Sequence, residues 1–205
     1  MSIDLIILIT NSLLAITSLF FGILVYFHGG KSATNRFFAI VAFAITIWAI
    51  ASFMAFRDNA ETVVLGVRVL FVSISLQTIF LNLFIYTFPD VEFKIQSSWK
   101  KYALWIGGIF YVIVASLSFQ GTDAVDTFIY QGKIIFSPRV SVLNYFWTPI
   151  SIILSFIPTI VAFRKYRRAT GETRKQLKVI FFTIALAFAI LPFVLAIPFQ
   201  VFHNI

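Results

Sequence analysis

The 205-residue chain contains no cysteine. Disulfides and thiolate-bound metals or clusters are therefore excluded. Charged residues are scarce at 12%, against roughly 25% in an ordinary soluble domain. So few charges cannot cover a water-facing surface. That one shortage excludes a soluble enzyme, a nucleic-acid-binding domain and a disordered chain. Long alternating apolar and polar runs are also missing, which argues against a closed β-barrel.

Catalytic signals are missing as well. The sequence holds no H-E-x-x-H, no G-x-S-x-G and no glycine-rich phosphate loop. Its two histidines, His28 and His203, fall at opposite faces of the topology derived below. The acidic residues Asp4, Asp58, Glu61, Asp90, Glu92, Asp123, Asp126 and Glu172 sit at segment ends or in loops. Ion-coupled carriers usually keep a carboxylate near the midplane, and this chain has none there. The expectation is no catalytic residue, no metal, no cofactor and no enzymatic activity in this chain.

What is present is apolar: hydrophobic residues make up 60%. A spanning helix needs about 20 mostly apolar residues. Six such segments are legible: Ile3–Phe27, Phe37–Phe56, Val63–Phe88, Tyr102–Phe119, Leu143–Phe163 and Leu177–Phe202. The fold class is all-α, a polytopic transmembrane bundle of six spanning helices, forming a single membrane domain over 1–205. The first segment is no cleaved signal peptide, since only Asp4 precedes its long apolar core. The longest loop, Thr122–Ser141, holds two β-prone runs around Gln131-Gly132, which suggests a small β-hairpin.

Basic residues set the orientation. With the N-terminus outside, the inner loops carry Lys31, Arg36, Lys94, Lys100, Lys101 and the run Arg164, Lys165, Arg167, Arg168, Arg174, Lys175 and Lys178. The outer loops carry only Arg57, Lys133 and Arg139. Both ends of the chain then lie outside. The basic run 164–178, read as a loop, acts first as a topology signal, which removes nucleic acid as a partner and leaves the lipid bilayer.

The third segment carries the candidate ligand-binding face. Arg68, Ser75, Thr78 and Asn82 follow one another at +7, +3 and +4, so they share one helical face. Polar groups in lipid are costly unless they face the bundle or water. The stripe is therefore expected to point inward, with Arg68 attracting an anionic or polar group. Its plainer role is interhelical hydrogen bonding, with Arg68 snorkelling to the headgroups. Trp48, near the middle of the second segment, is a further candidate for stacking a ligand, or else packs between helices. Pro149, Pro158, Pro192 and Pro198 free carbonyls and kink helices five and six. Trp99, Tyr102 and Trp105 at the inner side, and Tyr145 and Trp147 at the outer side, read as interfacial belts.

These features together resemble the N-terminal seven-helix membrane region of bacterial sensor histidine kinases. The matching residues are Asn35-Arg36-Phe37-Phe38 opening helix two, with Trp48 beyond it, and Val67-Arg68-Val69-Leu70 in helix three. Tyr86-Thr87-Phe88-Pro89 closes helix three, and Arg174-Lys175-Gln176 resembles the R-x-Q start of helix six. Thr183 departs from the pattern, where the family is expected to carry glycine. The resemblance implies a sensor or receptor module in the bacterial inner membrane, a two-component signalling role, a homodimer and a downstream kinase domain. Six helices end at Ile205, so either a truncated sensor or a standalone relative is expected. The alternatives are a small multi-pass transporter, which would move solute by itself in liposomes, and a membrane scaffold subunit.

Overall fold

A computed structural model describes residues 3–29, 32–55, 59–88, 98–117, 125–130, 133–138 and 142–182. The chain forms two compact units, Met1–Leu154 and Ser155–Ile205. The first unit contains α1 (Ile3–Gly29), α2 (Ala33–Met54), α3 (Ala60–Thr87), α4 (Ser98–Leu117), a pair of short strands and the first half of α5 (Val142–Arg168). Among the described residues, the second contains the rest of α5 and a helix, α6, over 171–182. Four of these helices contain stretches long and apolar enough to cross a membrane: Leu8–His28, Ala33–Met54, Ala60–Thr87 and Tyr145–Arg168. In α4 the described apolar stretch is shorter, Trp105–Leu117.

Many of the first unit's buried side chains are small or polar, and many of its large apolar ones are exposed. Ala49 and Ala51 are fully buried, whereas Ile16 is 66% and Phe27 80% exposed. A water-facing protein would not display apolar surface on this scale. Lipid tails are as apolar as leucine, so helices in a bilayer associate through close contact and hydrogen bonds instead. The seam between α1 and α2 shows both devices. A Cβ added to Gly22 would meet that of Ala42 at 3.0 Å, and the Ser18 and Thr46 hydroxyls bond across the seam at 3.0 Å.

α2 and α3 approach even more closely. A Cβ on Gly66 would fall 2.6 Å from the backbone nitrogen of Ala55. Only glycine leaves room for that backbone. At its start, α3 is capped by Asn59, whose side chain accepts a hydrogen bond from the Glu61 amide at 2.9 Å. Glu61 adds negative charge at the positive end of the helix dipole.

β1 (Val125–Tyr130) and β2 (Lys133–Pro138) pair antiparallel, from Val125 opposite Pro138 to Tyr130 opposite Lys133. Pro138 sits at the open end of the ladder, where its missing N–H does least damage. The turn Gln131-Gly132 lies outside the described residues, as does the sixth segment from Thr183 onward, with Pro192, Pro198 and His203.

The basic segment corrects the sequence reading. Residues 164–178 are mostly helical rather than a loop: α5 runs on to Arg168, and α6 begins at 171 instead of Leu177. Lysine and arginine are good helix formers, and cations in the last turn of α5 offset its dipole. Gly171 takes a left-handed φ of 60° at this turn, which only glycine adopts without strain.

Candidate functional site

The polar stripe of α3 points into the first unit. Ser75, Thr78 and Asn82 are all buried. Each first meets its own helix. Ser75 donates to the Phe71 carbonyl at 2.9 Å and Thr78 to the Ile74 carbonyl at 2.9 Å. The Asn82 amide donates to the Thr78 carbonyl at 2.8 Å. Such back-bonds satisfy a hydroxyl hydrogen inside a helix and leave oxygen lone pairs free to accept.

α4 and α5 use that capacity. The indole N–H of Trp147 donates to the Ser75 hydroxyl at 3.1 Å. Ser151, one turn further along α5, gives its only hydroxyl hydrogen to the Trp147 carbonyl at 2.7 Å. Tyr111 of α4 is therefore the donor in its hydrogen bond to Ser151. The Ser75 and Thr78 hydroxyls stand close to the same tyrosine oxygen. The rings add a second layer. Trp147 stacks on Tyr111 with an interplanar angle of 3° and centroids 5.9 Å apart. The Trp147 ring centroid also lies 4.5 Å from that of Phe71.

Asn82 makes the third link. Its amide also reaches the Leu154 carbonyl of α5 at 3.0 Å. In a regular helix that carbonyl would accept from the N–H of residue 158, four positions on. Residue 158 is proline and has no N–H. An asparagine on a neighbouring helix fills the vacancy, as membrane interiors require of freed carbonyls.

The other two sequence-derived candidates stand differently. Arg68 is half-buried on α3, seven residues before Ser75. Trp48 is half-buried on α2 and makes no hydrogen bond to the stripe among the described residues. The structure thus brings Ser75, Thr78 and Asn82 together with α4 and α5, and leaves Trp48 outside their network.

The match to the family of N-terminal 7TM regions of histidine kinases spans residues 12–204. The chain belongs to this family. It is accordingly a membrane sensor module of signal transduction, and the region is distinct from the catalytic kinase domain. A comparison with curated proteins finds no match.

Three residues of this sensor region's network were missed by sequence reasoning. Trp147 is 7% exposed and hydrogen-bonded, so its assignment to an outer interfacial belt is corrected. Neighbouring Tyr145, 72% exposed, remains compatible with a belt. Tyr111 and Ser151 are isolated polar groups in otherwise apolar segments. The available signal was the i, i+4 pairing of Trp147 with Ser151, which puts an N–H and a hydroxyl on one face of α5.

Proposed function

We propose that this chain senses a ligand or membrane state through the α3 polar face and passes the result along the bundle to a histidine kinase. The carrying observation is that Trp147 and Tyr111, themselves tied together through Ser151, meet the α3 polar face. In this arrangement the protein's own side chains occupy the groups that a polar signal would use. A signal that competes for these hydroxyls, or for Arg68 on the same stripe, favours a second helix arrangement. That is a population shift, and it requires only that the signal bind the two arrangements unequally.

The energy scale suits such a shift. Interhelical hydrogen bonds in membranes are worth about 0.6 kcal/mol on average and at most about 1.7. The links Trp147–Ser75, Tyr111–Ser151 and Asn82–Leu154 together amount to roughly 2–5 kcal/mol on that scale. Allosteric coupling energies are typically about 1–3 kcal/mol. A seam of this strength is firm enough to define a state and weak enough for a ligand to open.

The wider reading is a single membrane domain of six spanning helices in a bacterial inner membrane, N-terminus outside. The four long apolar helices and the one-sided placement of lysine and arginine support it. Trp48 remains a candidate side chain for the ligand, reached from α2. A kinase domain is the natural recipient of the signal, and dimerisation fits that output.

The test is a fusion of this chain to the cytoplasmic part of a histidine kinase, with phosphate incorporation measured in membrane vesicles. Ser75→Ala, Thr78→Val and Asn82→Leu are expected to shift phosphorylation severalfold. Arg68→Ala is expected to change the response to added extracts or solutes. If all four variants match the parent fusion, the α3 stripe is not the sensing element.

A further inference from the structure

The second unit carries a concentration of charge that signal transfer along α3 does not use. Segment 164–178 holds seven cations and one carboxylate, a local net charge of +6 in a chain of +8. That carboxylate, Glu172, is drawn off by Lys175 at 3.4 Å. Arg167, Arg168 and Arg174 are all exposed. Arg174 is also held in place: its guanidinium lies 5.1 Å from the ring centre of Tyr166. Cation–π contact of this kind fixes a long side chain that would otherwise roam.

The surroundings have a matching apolar character. Phe163 precedes the cluster on α5, and Val179 and Phe182 follow it on α6, all exposed. The chain thus presents a cationic turn bordered on both sides by apolar side chains. A ligand that fits must be anionic at one end and apolar beyond it. Arginine is the better cation for the anion, because its planar fork matches phosphate oxygens in pairs.

We propose that this turn is a binding site for the phosphate headgroup of anionic phospholipids, with Arg174 positioned by Tyr166 and joined by Arg167 and Arg168. The proposal rests on the chain's place in a membrane and is independent of the sensing role of α3. It differs from a topology signal, which depends only on the number of positive charges. A binding site depends also on where they are held.

The full chain is reconstituted in phosphatidylcholine bilayers with a trace of spin-labelled lipid, and the motionally restricted fraction is read by electron paramagnetic resonance. Spin-labelled phosphatidylglycerol is expected to associate severalfold more strongly than spin-labelled phosphatidylcholine. The preference is expected to vanish in the Arg167→Gln, Arg168→Gln, Arg174→Gln triple variant. Tyr166→Leu keeps every charge, and hence the topology signal, yet is expected to lower the preference. Equal association of the two lipids in the parent chain overturns the proposal, as does a preference unchanged in the triple variant. A preference unchanged in Tyr166→Leu overturns the positioned site and leaves charge number alone. Inorganic phosphate at matched ionic strength is expected not to displace the lipid, and displacement would assign the turn to free phosphate instead.

Discussion

The side-chain amide of Asn82 occupies the place that Pro158 leaves empty. It donates at 3.0 Å to the Leu154 carbonyl, four residues before the proline. The two residues form one device, a carbonyl freed on α5 and a donor supplied from α3. Their energetic effects should therefore be coupled. Asn82→Leu alone is expected to cost about 1–2 kcal/mol, because it leaves a part-buried carbonyl without a donor. In a Pro158→Ala background the helix can supply its own N–H, and the cost should fall toward zero. A double-mutant cycle of thermal unfolding in detergent checks this, and additive effects would refute the pairing.

The close approach of α3 to the end of α2 gives a second expectation. Gly66→Ala places a methyl group 2.6 Å from the Ala55 nitrogen and 2.8 Å from the Met54 carbonyl carbon. Backbone cannot swing aside as a side chain does, so a loss of about 1–3 kcal/mol is expected. Gly107→Ala on α4 is the matched control, since among the described residues nothing lies within 4 Å of the added carbon. It should be neutral or slightly stabilising, as alanine favours helix over glycine. Unfolding midpoints of the two variants decide the point.

Gln77 predicts a change in the opposite direction. Among the described residues its buried Nε2 has no hydrogen-bond partner. An unsatisfied buried donor costs about 1–3 kcal/mol, and removing it should recover part of that. Gln77→Leu is expected to raise the unfolding midpoint, whereas a lower midpoint would show that the amide has a partner in the membrane.

Orientation can be read directly because the chain has no cysteine to interfere. Glu61 and Thr170 are both exposed. In the proposed topology, Glu61→Cys reacts with a membrane-impermeant maleimide in intact cells, and Thr170→Cys reacts only after lysis. Labelling of Thr170→Cys from outside would reverse the orientation.

Much of the helical framework was legible because lipid imposes one simple rule, about 20 apolar residues per crossing. The inward turn of Ser75, Thr78 and Asn82 was legible for a related reason, since polar atoms cannot face the tails. What those residues would meet was not legible. Trp147 reads as an interfacial residue by position near the start of α5, yet its N–H finds Ser75, 72 residues earlier in the chain. Sequence period reports which face a side chain shares and not which neighbour that face will touch. The same limit hides the tie between Asn82 and Pro158, which lie 76 positions apart in the chain. Nor does charge mark a loop at 164–178, where charged residues extend α5 and open α6.

If the seam among α3, α4 and α5 sets the signalling state, adjacent residues on these helices should respond differently. Tyr111 and Trp147 are buried in the seam, while their neighbours Phe110 and Phe146 are 60% and 62% exposed. In the kinase fusion, Tyr111→Phe and Trp147→Phe remove one polar group each and keep a ring. Phe110→Leu and Phe146→Leu alter the exposed face of the same helices. Basal phosphorylation should shift severalfold in the first pair and stay at the parent level in the second. Equal phosphorylation in all four variants would contradict the account.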